Sequence, residues 1–72
     1  MTRLQRAKTF RSRVTARRTD LGMTQAQLAQ KCGLHPAAIS HFETGQRRPC
    51  IENLARLALE LDCTSDYLIG LR

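Results

Sequence analysis

Between two glycines, Gly33 and Gly45, the sequence reads GLHPAAISHFETG, and this stretch holds the most informative polar groups of the chain. On a helix, Ile39 and Phe42 share one face, leaving Ala37, Ser40, His41 and Thr44 on the other. The hydroxyl of Ser40 and the imidazole of His41 can donate and accept hydrogen bonds, and the alanines offer methyl surface. Helix faces meant for water are usually crowded with Lys and Glu, whereas this one is short, smooth and nearly uncharged, as suits a surface built to lie against something. Catalysis is not expected. There is no carboxylate pair in a plausible cleft, no nucleophile beside a base and no phosphate-cradling loop. Cys32-x-x-His35, with His41 or Cys50 nearby, superficially resembles the ligand set of a metal- or redox-responsive module. Cys32, however, falls in a slot expected to be buried and to face away from His41, so neither a metal nor a cofactor is expected.

The elements that position this stretch follow from length, charge and periodicity. Seventy-two residues make one domain with a small core. No second ligand-binding or protease-like domain is expected beside it, so control is expected from concentration, a partner or competition. A core of Leu, Ile, Val and Ala with few aromatics favours packed helices. The formal charge of +6 is lopsided: residues 1–48 carry ten basic and two acidic side chains, and residues 49–72 carry two basic and four acidic ones. One end therefore suits a polyanion and the other does not, which points to nucleic acid. Three cysteines without paired spacing fit a reducing cytosol. No apolar run approaches membrane-spanning length, and the start MTRLQRAKTF lacks the apolar core of a signal peptide, so a cytoplasmic protein with no membrane partner is expected.

Five helices and no strands are read from the pattern. Residues 1–8 form a basic arm or a frayed helix start, and residues 9–72 the domain. A first helix runs from about Thr9 to Leu21 and ends at Gly22. A second opens at Thr24, whose capping box with Gln27 is explicit in the sequence, and ends at Gly33. Pro36 suits the first turn of a third, closed by Gly45. A basic loop, QRRPC, leads to a fourth helix with an apolar stripe of Ile51, Leu54, Ala55, Ala58 and Leu61, broadened by Leu57 and Leu59. A short fifth helix follows Thr64.

Residues 25–44 form the informative unit. Ala29 is small where two helix axes cross, Gly33 permits a three-residue turn, and Leu28, Cys32, Leu34, Ile39 and Phe42 plug the angle between helices. That is the geometry of a helix-turn-helix, whose second helix enters the DNA major groove. The run LGMTQAQLAQKCGLHPAAISHFETGQRRP resembles the Cro and lambda-repressor family, also called the XRE family. The likeness covers about residues 14–69, taking in the Arg18-to-Gly22 spacing, TQAQLA, Gly33, IS.FE.G and the closing CTSDYL. It implies an all-α, five-helix domain and sequence-specific binding to double-stranded operator DNA as a homodimer. The host would be a bacterium or a phage, and the role a transcriptional regulator, in the first place a repressor. A restriction–modification controller or an antitoxin with the same domain is the alternative, and a toxin or antirepressor partner is compatible with it.

The resemblance also implies roles. Gln25 would contact a phosphate and brace the reading helix. Pro36, Ala37, Ala38, Ser40 and His41 would face base edges, and Arg47 and Arg48 would grip the DNA backbone. Arg18 and Glu43 would form a largely buried ion pair. The chain departs from the family where Ser or Thr often stands in place of His35, and where phage repressors carry bonding side chains in place of Pro36 and Ala37. Bidentate readout of adenine is unavailable from Pro36, Ala37 or Ala38, which leaves methyl contacts to thymine and makes His41 the main polar reader. Backbone contacts and DNA shape then carry more of the specificity. Leu59, Leu68, Ile69 and Leu71 are expected as an exposed patch for an isologous dimer at the acidic end.

Overall fold

Residues 9–70, the part that the computed structural model describes, form five helices with no strand among them, and all but the fourth open on a side-chain cap. They are α1 (Phe10–Asp20), α2 (Gln25–Cys32), α3 (Pro36–Thr44), α4 (Ile51–Glu60) and α5 (Ser65–Ile69). Thr9 opens α1 by accepting from the Ser12 amide, and the Ser12 hydroxyl accepts in return from the Thr9 amide at 3.1 Å. The expected box at α2 has the same form: the Gln27 amide donates to Thr24 Oγ1 at 3.0 Å and the Thr24 amide to Gln27 Oε1 at 2.8 Å. Each box satisfies donors that a helix start would otherwise leave unpaired. After Cys32, Gly33 adopts φ 71, and the Leu34 amide reaches back to the Ala29 carbonyl at 2.8 Å. This closure turns the chain within three residues and so fixes the angle between α2 and α3.

Val14, Leu28, Ile39, Leu57, Leu61 and Leu68 are wholly buried and draw all five helices onto one core, with Ala29, Phe42 and Ala58 filling it. Burial of such a side chain contributes about 1.5–3 kcal/mol relative to exposure. Two expectations for the C-terminal half are corrected here. Ile51 and Ala55, expected in the apolar stripe of α4, are exposed, whereas Leu57, expected only to broaden that stripe, is wholly buried. Leu68, expected on an exposed dimer patch, is 0% exposed: the short α5 must plug the core with it between α1 and α4. Leu59 and Ile69 are exposed, as expected. The arm at 1–8 and Leu71 lie outside the described residues.

Arginines of α1 reinforce this packing. Arg13 donates to the Tyr67 carbonyl and lies 4.5 Å from the centre of the Tyr67 ring. Arg17 Nε donates to the Leu61 carbonyl at 2.9 Å, where α4 ends. Guanidinium groups at these carbonyls add donors at the negative ends of the two helices. Part of the N-terminal positive charge is therefore internal scaffolding.

Candidate nucleic-acid interface

The surface of α3 is set from its first residue. His35 stands at the N-cap, where its Nδ1 accepts from the Ala37 amide at 3.1 Å, and Pro36 occupies the first turn. An acceptor at Nδ1 places the proton of the neutral imidazole on Nε2. Ile39 and Phe42 anchor the inner side in the core. Outward, Ala37 and Thr44 are exposed, and the half-buried His41 lies beside Ala37 on the side away from Thr44, so these three mark the middle of the outer face. Pro36 is exposed at its N-terminal end, and Ser40 is half-buried at one flank. Ala38 lies on the opposite flank and packs partly against the core, which leaves it only the edge of the face.

A polar hub holds this helix from behind. Both oxygens of Glu43 accept from Arg18: Oε2 from Nε at 2.6 Å and Oε1 from Nη2 at 3.1 Å. Gln25 Nε2 donates to the same Oε1 at 3.1 Å, and Arg18 Nη1 donates to the Met23 carbonyl at 2.7 Å. One carboxylate thus ties α1, the turn after it, α2 and α3 together. The pair is nearly out of solvent, with side-chain exposures of 14% and 7%. A bidentate geometry of this kind fixes orientation as well as distance. The Gln25 side chain, one of the expected phosphate contacts, is here part of the brace. The Arg18–Glu43 pair is the one that the family resemblance implies.

Beyond Gly45 the chain carries Arg47 and Arg48, both exposed. The Arg47 amide donates to the His41 carbonyl at 3.3 Å, which holds the loop against the end of α3. Ala38, His41, Arg47, Arg48 and Asn53 line one open cleft, so the half-exposed imidazole and the two guanidinium groups share a continuous surface. The sequence did not single out Arg11, whose Nη1 donates to the Thr44 carbonyl at 3.3 Å. Only the arrangement of α1 against α3, a contact between distant segments, reveals it.

The cysteines take no part in this surface as a set. Cys32 packs on the core and His35 is engaged as a cap, so the two do not converge. Among the described residues no group of three His, Cys, Asp or Glu side chains is placed to hold a metal ion. Burial, with Glu60 nearby, pushes the Cys32 thiol up, and burial does the same for Cys63, so both are poor nucleophiles. No helix among the described residues is long and apolar enough to cross a membrane.

A helix-turn-helix family model matches residues 14–68. The chain is 40% identical over 57 residues to repressor protein C2 of Salmonella phage P22, a match covering 79% of this chain and 26% of that protein. It is 32% identical over 61 residues to the cryptic phage CTXphi transcriptional repressor RstR of Vibrio cholerae, covering 85% of this chain and 54% of that protein. The chain therefore spans about a quarter and about half of the lengths of these two relatives. Among solved structures, the P22 c2 repressor in complex with a synthetic operator matches with a TM-score of 0.84 at 36% identity, covering 88% of this chain and 96% of that one. The restriction-modification controller protein C.AhdI from Aeromonas hydrophila matches with a TM-score of 0.79 at 33% identity, covering 83% and 91%.

Proposed function

The chain belongs to the helix-turn-helix family, and we propose that it is a sequence-specific transcriptional repressor, not an enzyme, that acts in the bacterial cytoplasm on operator DNA. The observation that carries this reading is the outer face of α3: uncharged, fixed from behind by the Arg18–Glu43–Gln25 hub and bordered by the exposed Arg47 and Arg48. In this reading α3 lies in the major groove. Ala37 offers its methyl group to thymine, His41 supplies the main polar contact to a base edge, and Pro36 and Ser40 border them. Ala38 contributes at the rim. Arg47 and Arg48 engage phosphates, and Gln25 positions α3 while the start of α2 faces the backbone.

Binding to a two-fold operator calls for two copies. The exposed apolar residues of the C-terminal half, Leu59 and Ile69 with Ile51 and Ala55, are where a second copy would pack, bringing two α3 helices about one DNA turn, ~34 Å, apart. Leu68 supports that surface from inside. The likeness to a restriction-modification controller favours a second reading of the same site, in which the operator regulates a restriction–modification system. Identifying the bound operator, and the gene it precedes, separates the two.

The reading is tested by titrating labelled duplex at several salt concentrations. With roughly 4–6 phosphate contacts per subunit, a dimer should give a slope of log K against log salt of about −7 to −11. A slope near zero would refute DNA binding.

A further inference from the structure

At the C-terminal end of α3, three arginines converge from two distant segments. Arg11 arrives from α1, and Arg47 and Arg48 from the loop after α3; together with Phe42 and Gly45 they line one cleft of about 250 Å³. No carboxylate lines that cleft, and none of the three arginines pairs with an acid among the described residues. Like charges gathered without a counter-charge repel one another, and an anion between them removes that cost.

We propose that Arg11, Arg47 and Arg48 form a seat for a DNA phosphate, which extends the DNA footprint from α3 to the start of α1. The proposal rests on the DNA-binding reading above and adds to it a residue and a segment that reading does not use.

The geometry gives Arg11 a defined place in the seat. Its Nη1 is anchored on the Thr44 carbonyl at 3.3 Å, at the negative end of the α3 dipole. A guanidinium has five N–H donors, so this one bond leaves others for an anion. The anchor also covers a carbonyl that would repel a phosphate at a helix C-terminus. Gly45 eases the approach: its φ of 83 turns the chain sharply, and a Cβ there would stand 3.1 Å from Arg11 Nη1 and 3.3 Å from Cδ, crowding the side chain. The absence of a side chain lets the guanidinium lie over the turn. Phe42, Arg47 and Arg48 line both this cleft and the neighbouring one that holds His41. A duplex lying on the outer face of α3 would therefore pass over the seat.

Arg11→Gln tests the seat, because the amide can still donate to the Thr44 carbonyl while the charge is lost. The slope of log K against log salt should become less steep by about one per subunit, on operator and on a scrambled duplex alike. Arg11→Lys should restore most of the slope. Thermal melting of both variants, without DNA, reports any loss of the α3 cap. If Arg11→Gln lowers the melting temperature but leaves the salt slope unchanged, Arg11 is only a cap and the seat is refuted. A loss confined to the operator would also refute it, since phosphates are common to both duplexes. Failure of the underlying reading looks different: the unmodified protein would itself show no salt slope.

Discussion

The exposed faces of α3 and α4 are built from different residues and held in different ways. On α3 the face is made of Ala37, His41 and Thr44, small or flat side chains with hydrogen-bonding edges. On α4 an apolar strip of Ile51, Ala55 and Leu59 lies beside the exposed Glu52 and Arg56, with Ile51 82% and Leu59 68% exposed. Behind α3 stands the polar hub of Glu43; behind α4 stand Leu57 and Leu61, wholly apolar. A groove of base edges rewards shallow relief and a fixed orientation, because a bidentate or methyl contact fails when the helix rotates. A protein surface rewards buried apolar area and tolerates small shifts in angle. The contrast teaches that exposure alone does not identify a partner; the size of the exposed groups and the rigidity of their support do.

The hub is the place to break the comparison most severely. Replacing Glu43 by Ala strands a nearly buried Arg18 and should cost about 3–5 kcal/mol of stability, read by chemical denaturation, with loss of operator binding. Leu68→Ala should cost about 2–5 kcal/mol, because it empties a fully packed site in the core that supports α4. An unchanged midpoint for either variant would contradict the packing described. His41→Ala sharpens the comparison at the outer face: folding should be unaffected, while the gap between operator and scrambled duplex narrows by ~1–3 kcal/mol per half-site. Competition binding measures that gap, and an equal loss on both duplexes would remove His41 from the base-reading set. Leu59→Asp should change stability by no more than about 0.5 kcal/mol, being a surface substitution. Sedimentation should nevertheless find it monomeric under conditions in which the unmodified protein is expected to sediment as a dimer.

Much of this arrangement is legible in the sequence, and the reasons are local. The Thr24–Gln27 box, the glycines at 22, 33 and 45 and the Pro36 start each concern a few adjacent residues whose chemistry decides the backbone, and the helices begin and end where those residues say. The α2–α3 unit is readable too, since its turn leaves few alternatives. The inner side of α4 is not. Ile51, Leu54, Ala55, Leu57, Ala58, Leu59 and Leu61 place apolar groups over most of the helix circumference, so periodicity cannot choose between a stripe through Ile51 and one through Leu57. Docking against α2 and α5 makes that choice, and it decides the fate of Leu68 as well. The arginines of α1 show the same limit in another form. Their charge suggests a polyanion, but a long side chain can turn inward, and Arg13, Arg17 and Arg18 end on carbonyls or on Glu43.

The central claim, that α3 reads DNA while α4 and α5 meet protein, is tested most directly by amide-resolved NMR titration with duplex DNA. The account predicts that the amides of Ala37, Ser40, His41, Thr44 and Arg47 shift on adding duplex, and that those of Ala55, Leu59 and Ile69 respond instead to protein concentration without DNA. Duplex-induced shifts centred on Ala55, Leu59 and Ile69, with residues 36–47 unmoved, would contradict it.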